Sequence, residues 1–224
     1  MPRYCLCRES SCSIHCKPKF EHYNTAKRVL RYIKGTKNYG ITYRDHNRKL
    51  VRPDDHNIFY SFSDATYTNA DNHKSICGYI FLSNMGMITW MSKKQTTIAL
   101  STTEAEYVAL SEASCEAIWL CHLYGEFGFI QKEPIILLGD NNRSVLMTKN
   151  PQFHKCTKHV DIQWHWVRDL VKDSLINVIN CCDPQQTTDI MTKSLPQPKY
   201  IRYVNELRLN DASVSCRGNH GDDM

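Results

Sequence analysis

The order of apolar runs from residue 58 onward limits this chain to few folds. Three short strand-like stretches come in quick succession, at 58–63, 76–82 and 87–91. The last two are joined by Ser83-Asn84-Met85-Gly86, a hairpin-like connection. A long helical stretch follows over 102–124, ending near Gly125. Pro134 then introduces a fourth strand through Gly139, and a short helix spans 142–147. A helix over 158–171 carries Val160, Trp164, Val167 and Val171 at helical spacing, and a strand at 176–180 leads to a helix over 187–193. Three antiparallel strands, a helix and then alternating strand and helix describe an α/β domain with a five-stranded mixed sheet flanked by helices.

Four acidic residues sit where these elements begin or end. Asp64 closes the first strand and Asp140 the fourth, Glu106 lies in the first turns of the long helix, and Asp189 opens the last one. Alone, each has an ordinary reading as a turn residue or a carboxylate facing a helix dipole. Carboxylates gathered from separate elements point instead to a divalent metal, because hard oxygen ligands suit Mg²⁺ and Mn²⁺ and unpaired like charges are costly to bring together. Glu104 is the alternative to Glu106. At about 100° per residue Glu106 shares its azimuth with Ala113, Ala117, Leu120 and Tyr124, the most apolar stripe, whereas Glu104 falls near Ser111 and His122 on the polar side. Glu106 is therefore expected to point inward, where it needs a metal or a partner charge. Glu104 is expected to be a first-turn carboxylate.

The flanking segments are different in kind. Residues 1–20 are irregular and cysteine-rich, and Cys5, Cys7, Cys12, His15 and Cys16 fit no common two-pair zinc template. Residues 21–35 read as a basic helix with Ala26, Val29, Leu30 and Ile33 on one face and Gly35 at its end. A short strand at 40–43 and a polar linker over 44–57 follow, and the tail at 208–224 reads as disordered. Eleven cysteines at irregular spacing and the absence of an apolar h-region imply reduced thiols in an intracellular, cytoplasmic protein. No run reaches the length of a membrane span. A net charge of +5 suits a polyanionic partner.

Several stretches together resemble the ribonuclease H region of copia-type LTR retrotransposon Pol polyproteins. They are Ser63-Asp64-Ala65, Lys74-Ser75-Ile76-Cys77-Gly78-Tyr79, Trp90-Met91-Ser92-Lys93-Lys94-Gln95, the run from Ala99 to Leu110, Thr157-Lys158-His159-Val160-Asp161-Ile162, and Asp189-Ile190-Met191-Thr192-Lys193. The resemblance covers roughly 21–207. It implies a ribonuclease H-like fold over 58–207, preceded over 21–57 by the end of a reverse-transcriptase region and a linker. It also implies that Asp64, Glu106, Asp140 and Asp189 form a D-E-D-D set holding two Mg²⁺ or Mn²⁺ ions and cutting the RNA strand of RNA–DNA hybrids. The implied partners are the hybrid and a reverse-transcriptase region supplied by another chain. The implied compartment is the cytoplasm, within a virus-like particle for an active element, or the nucleus. The histidine that many relatives carry shortly before the last aspartate is missing; Cys181, Cys182 and Asp183 stand there.

A hybrid is read through its backbone, groove shape and 2′-hydroxyls. The candidate contacts are Asn69, Asn72, Lys74, Ser75, Lys93, Lys94, Gln95, Thr102, Thr103 and Asn141, with His154, Lys155, Lys158 and His159 as a basic rim. Trp164 and Trp166 lie two apart and cannot share a helix face, so at least one belongs to the core. An integrase-type nuclease is disfavoured because the glutamate here falls between the first two aspartates. A polymerase is excluded by the lack of a palm signature. The remaining alternative is an inert transposon remnant, or a module that binds nucleic acid without cutting it.

Overall fold

The computed structural model describes residues 20–41, 43, 59–67, 74–83, 86–149, 158–181 and 186–211, with the backbone alone for 158–161. The expectations for 1–19, for most of the linker, for Asn69, Asn72, His154 and Lys155, for Cys182 and Asp183, and for 212–224 lie outside those residues. The elements are α1 (Phe20–Gly35), β1 (Tyr39–Ile41), β2 (Phe59–Thr66), β3 (Ile76–Ser83), β4 (Gly86–Lys94), α2 (Thr102–Glu126), β5 (Ile135–Gly139), α3 (Asn142–Lys149), α4 (Lys158–Lys172), β6 (Ile176–Asn180), α5 (Asp189–Thr192), α6 (Gln197–Glu206) and β7 (Leu209–Asp211).

Five strands form one sheet in the order β4-β3-β2-β5-β6. β2 runs antiparallel to β3, and β3 to β4, while β2–β5 and β5–β6 are parallel. This is the five-stranded mixed sheet that the order of the apolar runs predicts. Side-chain alternation along the strands sends Phe59, Phe81, Leu137 and Val178 to one face, where they pack with Tyr107, Ala113 and Leu120 of α2 and with Trp164 and Val167 of α4. Ile80 and Leu82, flanked by Tyr60 and Phe62, face the other way and pack under Ile190, Met191, Tyr203 and Leu207 of the C-terminal segment. The two tryptophans divide as the spacing required. Trp164 is in the core, edge-on to Tyr107 at 5.6 Å between ring centroids, and Trp166 is only partly buried.

The differences from the sequence reading are local. β2 continues three residues past Ser63, so Asp64 sits inside the strand. β4 continues through Lys93 and Lys94. Helix α6 was not anticipated, although Tyr200, Tyr203, Val204 and Leu207 recur at helical spacing behind Pro196. The tail begins with a strand rather than irregular chain: β7 pairs antiparallel with β1, setting Ile41 against Leu209. A bond of 3.0 Å between the Tyr32 and Tyr200 hydroxyls adds to that link, so the segment carrying α1 and β1 is anchored to the C-terminal end. α1 itself buries none of its residues.

Glu104 and Ser111 correct the helical-wheel reading, since both are buried, at 8% and 4% exposure. The wheel treats the helix as if only the sheet could cover it. In the fold, the chain leading into α2 folds back on Glu104 and engages its carboxylate. There Ser101 accepts from the Glu104 N–H at 3.1 Å, and the Glu104 carboxylate accepts from the Leu100 N–H at 2.8 Å. That is a reciprocal helix cap, and it uses the carboxylate structurally.

Candidate metal centre

The site forms where β2, β5 and the N-terminal part of α2 come together. The parallel register places Gly139 opposite Ser63, so the residue after β5, Asp140, emerges beside Asp64. Glu106 reaches the same point from α2 and is fixed there by the Ala65 N–H, which donates to its Oε2 at 3.0 Å. Oxygen atoms of Asp64, Glu106 and Asp140 all lie within 4.8 Å of one another.

A fourth element, α5, approaches from the opposite face of the sheet. Gly78 on β3, the register partner of Asp64, makes this approach possible. A Cβ at that position would stand 2.7 Å from the Met191 Cβ and 3.1 Å from the Thr192 Cγ2. The Gln186 side chain ties the incoming segment to β2 by donating to the Ser63 carbonyl at 2.5 Å. With α5 so close, the Thr192 hydroxyl donates to Asp64 Oδ2 and the Lys193 ammonium lies 3.3 Å from Asp64 Oδ1.

The electrostatics are those of carboxylates crowded without enough compensating charge. Burial pushes the Asp64 carboxyl above its usual range and nearby Asp189 adds to the rise, while Lys193 and the Thr192 hydrogen bond oppose it. Glu106 is pushed up to about 10, first by burial and then by Asp64 and Asp140. A cation among these oxygens would relieve both, and three hard oxygen donors from separate elements are the set that Mg²⁺ or Mn²⁺ takes. The residues present therefore fit a divalent ion.

Asp189 is placed differently. It is buried at 1% exposure and close enough to act on Asp64, yet it is not among the three converging carboxylates. Lys193 binds its Oδ1 at 2.6 Å and Lys199 its Oδ2 at 2.6 Å. Thr192, Lys193 and Lys199 are the site residues that sequence reasoning did not single out. For Lys193 the signal was available, because it stands four residues after Asp189 and so on the same side of one helical turn.

The candidate substrate contacts separate by exposure. Thr102 and Lys93 are exposed, and Lys74 and Lys94 are half-buried. Ser75 and Gln95 are buried, at 0% and 4% exposure; the Gln95 amide donates to the Ala105 carbonyl at 2.9 Å, so as placed neither side chain meets a duplex. Asn141 caps α3, its Oδ1 accepting from the N–H groups of Arg143 and Ser144 at 3.0 and 3.2 Å. The side chain of Lys158 lies outside the described residues.

No protein-family model matches the chain. It is 35% identical over 184 residues to the retrovirus-related Pol polyprotein from transposon TNT 1-94 of Nicotiana tabacum, an alignment covering 82% of this chain and 13% of that protein. It is 31% identical over 202 residues to the retrovirus-related Pol polyprotein from transposon RE2 of Arabidopsis thaliana, covering 90% of this chain and 13% of that one. The chain thus spans only a small part of the curated relatives it matches. Among solved structures, the N-terminal RNase H domain of a Mycobacterium tuberculosis protein, fused to maltose-binding protein, aligns with a TM-score of 0.46 at 10% identity, over 66% of this chain and 96% of that one.

Proposed function

The chain belongs to the retrovirus-related Pol polyproteins of copia-type transposons, as a ribonuclease H-like protein, and from that premise we propose that it is a metal-dependent nuclease cutting the RNA strand of RNA–DNA hybrids. The observation that carries this reading is the convergence of Asp64, Glu106 and Asp140 within 4.8 Å, with Asp64 and Glu106 both held above the usual carboxylate range. Bound there, divalent ions would supply an activated water and neutralise charge on the phosphate and the leaving 3′ oxygen; the four acids would take two ions. The protein's own residues do the positioning. Ala65 orients Glu106 through its N–H, and Thr192 and Lys193 hold the two oxygens of Asp64. Exposed Lys93 at the end of β4 and Thr102 at the start of α2 offer contacts to the hybrid backbone, with Lys74 and Lys94 beside them. A reverse-transcriptase region on another chain would present the hybrid, in the cytoplasm or in a particle assembled there.

One observation favours the second reading, a module that holds the hybrid without cutting it: both oxygens of Asp189 are engaged by lysine ammonium groups. Mg²⁺-dependent cleavage of a labelled RNA–DNA hybrid, compared between the wild type and Asp64→Asn, separates the two. The nuclease reading expects cleavage that falls at least about a hundredfold in the variant. Binding with no cleavage by the wild type would favour the second reading. Equal cleavage by both proteins would sink the site assignment. Loss in Glu104→Gln with activity kept in Glu106→Gln would reverse the choice of glutamate.

A further inference from the structure

Lys193 occupies a position that the proposed metal chemistry leaves unexplained. Its ammonium stands between two buried carboxylates, 2.6 Å from Asp189 Oδ1 and 3.3 Å from Asp64 Oδ1, while Asp64 and Asp189 are exposed by 0% and 1%. The other Asp189 oxygen is taken by Lys199, whose ammonium also lies 5.5 Å above the Tyr203 ring. A divalent ion shared by Asp64 and Asp189 would need an oxygen of each at about 2.1 Å. It cannot have them while a positive nitrogen sits on the same oxygens, because charge and space both forbid it. The ion position among Asp64, Glu106 and Asp140 meets Lys193 only at Asp64 Oδ1, 3.3 Å away, while Glu106 Oε2 is held by a neutral N–H.

We propose that Lys193 is a built-in cation of this centre, holding the place between Asp64 and Asp189 that a second divalent ion must win by displacing it. The inference rests on the metal-site reading above and deepens it. The stem of Lys193 suits such an exchange. Its side chain is 38% exposed, so the ammonium can swing to water, and its spacing of four residues from Asp189 returns it when the ion leaves. The centre then takes its ions unequally. The first binds where carboxylates already repel one another, and the second binds only at higher ion concentration, against a resident charge. Cleavage that needs both ions would accordingly show a threshold in divalent ion that the first site does not set.

Mn²⁺ binding to the full chain, measured by titration calorimetry and by electron paramagnetic resonance of free Mn²⁺, tests this without reading activity. The wild type is expected to show one tighter and one weaker ion. Lys193→Met is expected to bind the second ion on the order of tenfold or more tightly and to tighten the first by less, since the like charge removed stands nearer the second position. Lys193→Arg, which keeps the charge, is expected to retain the weak second ion. An unchanged second ion in Lys193→Met, with the first intact, overturns the inference alone. If wild type and Glu106→Gln bind Mn²⁺ equally, the metal-site reading fails and takes the inference with it. A wild-type measurement covers the case in which Lys193→Met does not fold. The acylation rate of Lys193, followed by mass spectrometry, should rise several-fold over the Mn²⁺ range of the second ion. A flat rate through that range overturns the proposal.

Discussion

Replacing Glu106 by glutamine should make the metal-free protein more stable, although it removes a candidate metal ligand. Glu106 is pushed from an ordinary value of 4.5 to about 10 by burial and by Asp64 and Asp140. In the folded state it therefore keeps a proton that the unfolded chain releases above about 4.5, and stability falls as pH rises from there towards the folded value. At pH 7 the chain has passed through about 2.5 pH units of that window, each worth roughly 1.4 kcal/mol, so the cost is about 3 kcal/mol at most. Glu106 is not wholly enclosed, and Lys193 partly offsets the repulsion, so a gain of about 1–3 kcal/mol on substitution is the working figure. Glutamine has the same shape and can still accept from the Ala65 N–H. For a chain of this size the gain corresponds to a melting temperature higher by roughly 3–10 °C. Urea and thermal denaturation in EDTA at pH 7 and pH 5 provide the test, with a large gain at pH 7 that shrinks at pH 5. Saturating Mg²⁺ should cancel the gain or reverse it, because binding to the folded wild type adds about 2.7 kcal/mol at a hundred times its Kd. If Glu106→Gln is no more stable than the wild type in EDTA at pH 7, or gains equally at pH 5, the account of crowded carboxylates is wrong.

Two further predictions concern how the fold presents the site. Gly78→Ala should cost about 1–3 kcal/mol in urea denaturation, because the new methyl meets the Met191 Cβ at 2.7 Å and must push α5 off the sheet; Mn²⁺ affinity should fall with it. Ser101→Ala removes the acceptor for the Glu104 N–H and should cost about 1 kcal/mol, with ion binding at saturating Mn²⁺ unchanged, since the cap touches none of the three converging carboxylates.

The fold was legible wherever a local pattern decided the outcome. β5, bounded by Pro134 and Asp140, and β6 stand where the apolar runs put them. So does α2, whose inward stripe of Ala113, Ala117 and Leu120 is buried. What escaped depends on partners distant in sequence. Leu209–Asp211 is too short and polar to read as a strand by itself, and its backbone pairs only because Tyr39–Ile41 lies alongside. Glu104 read as solvent-facing because a helical wheel has no way to include the loop over 95–101 that folds across it. Gln95 looked like part of a basic, phosphate-facing cluster, but the turn into α2 carries it inward to the Ala105 carbonyl.

The same distinction explains the candidate centre. Asp64, Glu106 and Asp140 could be grouped from the sequence because a parallel β2–β5 pair and a helix packed over it bring strand ends and first turns together by topology alone. Asp189 belongs to a short helix whose place depends on tertiary packing: Gly78 lets Met191 settle on β3, and Gln186 ties the incoming segment to Ser63. That packing brings Lys193 along with the aspartate, since it follows Asp189 by one helical turn, and α6 adds Lys199 from the other side. An acid reads in the sequence as an available ligand, whereas its availability depends on which cations the fold delivers with it. In this chain three acids meet each other and the fourth meets two lysines, so the divalent-ion dependence of the centre should be governed by the Asp64–Lys193–Asp189 contact.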